Sequence, residues 1–302
     1  MDDLTRAYYE EKFKSTFLEV KREAFQDFFA EIMGKRYPAD FQRVRPWGRR
    51  GDRKNDGYLK SRRILFQVYA PNEMSEKETI DKIEEDFCGA LPHWKKYFDA
   101  WVFVHNSRQG LGPEQSKKLL ELDTNHKEIT VTQWGFDEIR GEIFQLRETD
   151  LAAVLGPAPG REDVLNITSM QLAIVLDTLP RCDPPPDLEI RPVSDGKIKA
   201  NELSDSAACL LRAGMEGAAT VDWYFQNNPD KTLGDRIAHG LRAEYEDLRS
   251  QKMSPDEIFG KLHGTVRKSS DGTPKHEATV LAVLSYFFEQ CEIFEDAGAV
   301  GP

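Results

Sequence analysis

The strongest structural signals lie in two neighbouring stretches, Gly51-Asp52-Arg53-Lys54-Asn55-Asp56-Gly57-Tyr58 and Ile64-Leu65-Phe66-Gln67-Val68-Tyr69-Ala70. The first stretch is polar, and Gly51 and Gly57 allow sharp backbone turns on either side of Asp56. The second is an apolar run interrupted by one amide, Gln67, and is typical of a buried strand. An acid beside a strand with a polar side chain predicts a metal site, since carboxylate and amide oxygens suit Mg²⁺.

The order glycine-acid-x-x-x-acid-glycine, followed by a strand with glutamine, resembles the core of the PD-(D/E)XK restriction-endonuclease fold, in particular its Mrr-like branch. The resemblance implies that Asp56 is the metal-binding aspartate and that Gln67 is the Glu or Gln of the strand motif. It also implies Mg²⁺ or Mn²⁺ as the cofactor. Tyr69 stands where the family has a lysine that helps to activate the attacking water. Either Lys54 supplies this amine from another position, or the fold has lost its chemistry.

Apolar residues recur at spacings of three and four along residues 4–34 and predict one amphipathic helix that ends near Gly34. In the resembled fold the first helix often lends an acid to the metal site. Glu23 is the candidate for this third ligand, and Glu31 is the reserve. The alternative is that each is an ordinary exposed acid of the helix.

Basic residues surround the candidate metal ligands. Residues 35–63 contain eleven Lys and Arg but three acids, a local charge of +8 in a chain whose net charge is −11. Such a patch around metal-binding acids is what binding to a phosphate backbone requires. The alternative is a solvated loop and strand surface. The candidate nucleic-acid-binding residues are Arg43, Arg45, Arg49, Arg50, Arg53, Lys60, Arg62 and Arg63.

Length and composition predict two packed domains in a chain of 302 residues, of which 39% are apolar and 31% charged. No apolar run reaches membrane-spanning length, and the acidic N-terminus is unlike a signal peptide. We therefore expect a cytoplasmic protein without a membrane segment. The widely spaced cysteines predict neither a zinc site nor a disulfide framework.

Strand and helix patterns alternate through the first half of the chain and predict an α/β layer with a mixed sheet. The expected elements are an edge strand within 41–50, strands at 64–70, 98–105 and 128–133, and helices at 74–97, 114–122 and 136–146. Beyond a Gly- and Pro-rich linker, strand patterns largely stop. We expect a nuclease-like domain at 1–155, a linker at 156–166 and a mainly α-helical domain at 167–302 that contains one small hairpin at 184–198. The helix of residues 277–291 is apolar nearly all round and should be buried.

The C-terminal part resembles the C-terminal helical domain of ABC-three-component systems over most of residues 200–296. The matching stretches are Leu210–Met215, Gly234–Ile237, Met253–Phe259, and Ala282–Glu289 with Cys291 and Ile293–Asp296. These are bacterial conflict systems that include the Lamassu-type defences. The resemblance implies an SMC-like ABC ATPase and a middle component as partners, which control an effector that is often a nuclease.

Three interpretations remain open at this stage. The first is an effector that cleaves double-stranded DNA, is restrained by partners through its helical domain, and forms a homo-oligomer when active. The second is an inactive nuclease fold that acts as a DNA-binding adaptor between an SMC-like ATPase and another effector. The third is a purely structural bridge, which the basic patch argues against.

Overall fold

The computed structural model describes residues 1–45, 53–182, 197–268, 272–290 and 293–294. The chain packs into two compact units. We call Thr16–Leu155 the α/β unit, and Met1–Ser15 together with Gly156–Pro302 the helical unit. The N-terminal residues thus belong to the helical unit, whereas the sequence analysis placed them in the first domain. The predicted domain division stays a prediction.

The elements of the first half alternate as the sequence predicted. They are α1 (Asp3–Glu19), α2 (Arg22–Arg36), β1 (Phe41–Arg43), β2 (Gly57–Leu59), β3 (Ile64–Tyr69), α3 (Glu76–Trp94), β4 (Ala100–His105), α4 (Pro113–Asn125), β5 (Thr130–Trp134), α5 (Phe136–Ile143) and α6 (Glu148–Leu155).

The strands of the described residues form one five-stranded sheet in the order β1-β2-β3-β4-β5. The pairs β1–β2 and β2–β3 are antiparallel, and the pairs β3–β4 and β4–β5 are parallel. Helices α3 and α4 form the crossovers, because parallel neighbours need a long connection. The mixed α/β architecture is confirmed. The restriction-endonuclease-like fold stays a prediction.

Both faces of the sheet are covered by helices. On one face, Leu65 and Trp101 belong to an apolar cluster with residues of α3 and α4, such as Phe87. On the other face, the ring of Phe29 on α2 lies 5.4 Å from that of Phe66 on β3. Burial on both faces explains why β3 and β4 read as continuous apolar runs.

The predicted single helix over 4–34 is wrong, because the structure has two helices there. Arg22 has a φ of +51°, which is incompatible with a continuous right-handed helix. Its amide donates a hydrogen bond to the carbonyl of Ala70, just after β3, at 2.6 Å. This bond anchors the start of α2 to the end of the strand. Helix α2 then continues past Gly34 to Arg36.

One strand of the structure was not predicted, and two predicted segments fall partly outside the described residues. Strand β2 was not predicted, because three residues are too few to show an alternating pattern. Residues 46–50 of the expected edge strand lie outside the described residues. So does most of the hairpin predicted at 184–198, and its last residue, Ile198, lies in a short helix.

The helical unit confirms a mainly helical C-terminal part. Beyond the linker its helices are α7 (Arg161–Leu165), α8 (Ser169–Asp177), α9 (Lys197–Ala200), α10 (Asp205–Asn227), α11 (Leu233–Ser250), α12 (Pro255–Val266) and α13 (Pro274–Glu289). Helices α10 and α13 pack closely: a Cβ on Gly214 would overlap the hydroxyl of Ser285. Burial covers most of α13, as predicted from its composition. Among the described residues, no helix combines the length and the apolar character that crossing a bilayer requires.

Buried charges attach the N-terminal residues to the rest of the helical unit. The ammonium of Lys14, a residue only 8% exposed, donates to Asp256 Oδ2 at 2.7 Å. The other carboxylate oxygen of Asp256 accepts from the amide of Ser204 at 2.9 Å. Glu11 lies 3.7 Å from the same ammonium. Lys14 thus compensates two carboxylates at once.

Replacing Lys14 by Met should lower the free energy of unfolding of the helical unit by about 3 kcal/mol, because Asp256 and Glu11 would lose their shared cation. Urea denaturation followed by circular dichroism measures this loss. The control is Arg242→Met, since Arg242 pairs with Glu246 on the exposed side of α11 at 3.1 Å. Losing such an exposed pair costs about 0.5 kcal/mol or less. Equal losses in the two variants would contradict a structural role for the buried cluster.

Candidate nucleic-acid cleft

The pairing of β2 with β3 brings Asp56 beside Gln67. Gly57 is the register partner of Phe66, so the same register continued by one residue sets Asp56 opposite Gln67. The amide of Asp56 donates to the carbonyl of Phe66 at 3.0 Å. In return, Asp56 Oδ2 accepts from the amide of Val68 at 2.7 Å. These bonds hold the carboxylate against the strand, on the face from which Gln67 projects.

Gln67 is buried, with 4% of its surface exposed, and its Oε1 makes no hydrogen bond within the described residues. A buried amide oxygen without a partner is costly, at about 1–3 kcal/mol. Such atoms are uncommon in native structures and mark strained, catalytic or ligand-binding positions. This oxygen belongs to a residue that lines the same cleft as Asp56.

The cleft has a volume of about 1210 Å³, and all four predicted catalytic residues, Asp56, Gln67, Lys54 and Glu23, line it. Glu23 reaches it from the first turn of α2, whose start is anchored at the end of β3. The reserve acid, Glu31, is exposed further along α2 and is not among the lining residues. The remaining lining residues are Arg22, Gln26, Asp27, Arg43, Val44, Arg45, Arg53, Val68, Tyr69, Ala70, Pro71 and Lys82.

Lys54 lies in the cleft, but its ammonium is engaged by acids of α3. Its Nζ lies 2.6 Å from Glu85 and 2.9 Å from the buried carboxylate of Asp86. Burial alone lowers the pKa of Lys54, but the hydrogen bonds with these two acids outweigh burial and raise it. The backbone of Arg53 and Lys54 is left-handed, with φ values of +58° and +63°. Gly89 on α3 makes room for the lysine, since a Cβ there would lie 2.9 Å from Lys54 Cγ.

Tyr69 occupies the strand position where the resembled family has its lysine. It lies two residues after Gln67 and therefore on the same face of β3. Its ring centroid lies 6.0 Å from that of Phe103. Burial and the nearby charges of Glu78 and Asp86 raise the pKa of its hydroxyl, so the phenol is neutral at physiological pH. Tyr69 therefore adds no positive charge to the cleft.

The predicted basic residues divide into three groups. Arg43, Arg45 and Arg53 line the cleft. Three do not line it, namely Lys60, Arg62 and Arg63, and the last of these pairs with Asp99 at 2.7 Å. Arg49 and Arg50 lie outside the described residues.

Two cleft cations were missed by the sequence analysis. Arg22 follows the unpredicted break between α1 and α2, and Lys82 lies on α3, outside the basic segment of the sequence. Arg43 pairs with Asp27. Within the described residues, Arg22, Arg45 and Arg53 are exposed and form no salt bridge. These three guanidinium groups remain available to an anionic ligand.

The described residues contain no group of three or more His, Cys, Asp or Glu side chains that could hold a metal ion. The lining residues instead provide two carboxylates and one amide, from Asp56, Glu23 and Gln67. Hard oxygen donors suit Mg²⁺ or Mn²⁺ and do not suit the nitrogen and sulfur preference of zinc. The unpartnered Oε1 of Gln67 fits a cation of this class. Mg²⁺ or Mn²⁺ binding stays a prediction.

Comparison with known families concerns the C-terminal part of the chain. Residues 170–295 match the family model of C-terminal domain 10 of the ABC-three component (ABC-3C) systems. By this domain, the chain is a component of an ABC-three-component system. The resemblance predicted for the C-terminal part is thereby confirmed, and the domain implies partner components. Neither a curated protein nor a solved structure matches the chain.

His105, at the end of β4, is a structural histidine. It is 1% exposed and does not line the cleft. Its Nδ1 accepts a hydrogen bond from the amide of Ser107 at 3.3 Å. Gly135 lets the backbone approach the ring, since a Cβ there would lie 2.7 Å from Cε1. Burial lowers the pKa of His105 to about 4, so the imidazole is neutral.

The stability of the α/β unit should therefore fall as the pH is lowered from about 6.5 to about 4, the ordinary and the folded-state pKa of His105. In this window the unfolded chain binds a proton that the folded chain excludes. His105→Asn keeps an acceptor near the Ser107 amide and should remove this part of the pH dependence. Free energies of unfolding from urea denaturation across the window test this. The control, exposed His93→Asn, should behave as wild type, and a wild-type profile for His105→Asn would contradict the assignment.

Proposed function

We propose that the α/β unit is a divalent-metal-dependent DNA endonuclease and that the chain is the effector of a Lamassu-type defence against phage or plasmid DNA in the bacterial cytoplasm. The observation that carries this proposal is the buried, unpartnered Oε1 of Gln67, which lies opposite Asp56 in a cleft lined by arginines. A metal-binding pair of oxygens within a basic cleft is the combination that phosphodiester hydrolysis needs.

Asp56, Gln67 and Glu23 would hold the metal. A bound divalent cation would stabilise charge on the phosphate and lower the pKa of a water molecule. The Val68 amide orients the carboxylate of Asp56, and the packed strand orients Gln67. A ligand held by a rigid strand needs little reorganisation when the substrate arrives. Glu23, on the first turn of α2, completes an oxygen-rich set.

The arginines would bind the DNA backbone. Arg22, Arg45 and Arg53 line the cleft around these acids and form no salt bridge among the described residues. Guanidinium groups make bidentate contacts with phosphates. Contacts of this kind position a duplex without reading its sequence. The proposed substrate is therefore double-stranded DNA bound with little base specificity.

The helical unit would restrain this activity. A nuclease with little sequence preference would cut the DNA of its own cell, so an effector of this kind requires control. The ABC-three-component domain implies partner components. We assign the partner components as an SMC-like ABC ATPase and a middle component. These partners would keep the nuclease sites of different chains apart or covered. Release would allow homo-oligomerisation, which brings together the two sites that commonly cut the two strands of a duplex.

A second function is favoured by the pairing of Lys54. Its ammonium lies 2.6 Å from Glu85 and 2.9 Å from Asp86, and Tyr69 supplies no charge. A cleft that binds phosphate but lacks an available catalytic amine would hold DNA without cutting it. The chain would then be a DNA-binding adaptor that links the ATPase to another effector.

Replacing Asp56 by Asn should abolish plasmid nicking, with a loss of more than about a hundredfold, because it removes a ligand charge. The amide oxygen of Asn still accepts from Val68, so the fold should persist. Nicking of supercoiled plasmid with Mg²⁺ or Mn²⁺ measures activity, and Mn²⁺ titration measures metal affinity. The control is Glu31→Gln, which makes the same change of carboxylate to amide at an exposed position of α2 that does not line the cleft.

The outcomes separate the two functions. Nicking by wild type that persists in Asp56→Asn would refute the assigned site. Wild type that binds DNA without nicking it under either metal would refute the nuclease and favour the adaptor. A chain that does neither would refute both functions.

Partner capture should require the helical unit. When the full-length chain is co-expressed with the ATPase and the middle component of its own system, affinity purification should recover at least one of them. A chain of residues 16–155, which keeps only the α/β unit, should recover neither. Full-length Asp56→Asn is the control and should capture partners at the wild-type level. Full-strength capture by residues 16–155 would refute docking through the helical unit.

A further inference from the structure

Lys82 is a cleft residue that the sequence analysis did not identify. It lies on α3 and lines the same cleft as Asp56 and Gln67. Its Nζ donates to Asp86 Oδ1 at 2.9 Å, and 30% of its side chain is exposed. Asp86 is the partner of Lys82 within the described residues. An ammonium has three N–H donors, so two remain for a ligand.

The carboxylate of Asp86 fixes the position of this ammonium. Asp86 is 0% exposed, and its Oδ1 lies 2.9 Å from both Lys54 Nζ and Lys82 Nζ. Two lysines therefore share one buried acid. Lys54 has a second acid, Glu85, at 2.6 Å, and further interactions besides. Of the two lysines, Lys82 keeps more N–H donors for a ligand.

Lys82 also lies near Tyr69, the position on β3 where the resembled family has a lysine. The pKa of the Tyr69 hydroxyl is raised by burial and by the charges of Glu78 and Asp86, and a hydrogen bond with Thr79 lowers it in part. Thr79, Lys82 and Asp86 are separated by three and four residues and share one face of α3. The phenol of Tyr69 therefore meets α3 next to Lys82. Since Tyr69 and Gln67 project from the same face of β3, Lys82 approaches the Asp56–Gln67 pair from the helix side.

We propose that Lys82 is the ammonium that contacts the reacting phosphate, from helix α3 rather than from strand β3. The proposal rests on the proposed function and identifies the ligand as a nucleic-acid phosphodiester. The ammonium stabilises the negative charge that develops on the phosphate oxygens in the transition state. Lys54, held by two acids, has a structural role at the wall of the cleft.

The test compares Lys82→Met, Lys82→Arg and Lys54→Met in the full-length chain. The matched control is Lys77→Met, because Lys77 is an exposed lysine of α3 that does not line the cleft. The first measurement is the single-turnover cleavage rate at saturating duplex DNA with Mg²⁺. The second is duplex affinity without divalent metal over a range of salt concentrations. The melting temperature of each variant is recorded alongside.

We expect Lys82→Met to lower the single-turnover rate by about a hundredfold, as removal of one transition-state donor does. It should also reduce the slope of log affinity against log salt by about 0.9, the value for one phosphate contact. Lys82→Arg should keep the wild-type slope. Lys77→Met should change neither quantity. Lys54→Met should lower the melting temperature, because Glu85 and Asp86 would lose a cation that they share.

An unchanged single-turnover rate in Lys82→Met would overturn the proposal, and so would equal effects in Lys77→Met. If wild-type protein does not cleave DNA, the proposed function fails by itself. The salt slope then decides separately whether Lys82 contacts phosphate. An unchanged slope in that case overturns the contact, and a reduced slope supports it.

Discussion

The antiparallel pairing of β2 with β3 is the constraint on which the candidate site depends. Side chains on a strand alternate between the two faces of the sheet, so a slip of one residue would carry Gln67 to the opposite face. Two hydrogen bonds prevent this slip: the Asp56 amide bonds to Phe66, and the Val68 amide bonds to the Asp56 carboxylate. The same carboxylate therefore helps to set the register and belongs to the candidate metal ligands. The three-residue strand β2 acquires a definite position because the side chain of Asp56, the residue before it, bonds to β3.

Helix α3 sets the electrostatics of the cleft. A fully buried acid, Asp86, is stable only with positive partners, and Lys54 and Lys82 provide them. The buried acid thereby draws two lysines to one wall. Three lining arginines, Arg22, Arg45 and Arg53, lie at the start of α2 and in loops and are exposed. The lining of the cleft therefore combines lysines paired with buried Asp86 and exposed arginines.

The helical unit has a different organisation. Its core is the close contact of α10 with the buried α13, and glycines such as Gly214 allow the two backbones to approach. The N-terminal residues join it through the buried pair of Lys14 and Asp256. The match to an ABC-three-component domain covers residues 170–295 and leaves the α/β unit outside it. The matched domain implies partner components for the chain.

Elements with strong local patterns could be predicted from the amino-acid sequence. The apolar runs of β3 and β4 and the alternation with helices predicted a mixed α/β sheet, because burial on both faces leaves a clear signal. Asp56 and Gln67 could be named as candidates because a glycine-bounded acid and a polar residue in an apolar run are both visible locally. The helical character and the family of the C-terminal part were likewise readable from the sequence.

Contacts between residues far apart in the sequence became visible in the folded chain alone. The engagement of Lys54 by α3, the entry of Lys82 and Arg22 into the cleft, and the break that starts α2 all depend on contacts between separate elements. The grouping of Met1–Ser15 with the helical unit is of the same kind. Such contacts leave no periodic pattern in the sequence, because each partner looks like an ordinary surface residue of its own element. Their free energy arises when burial removes water from paired groups, which happens only once the elements have packed.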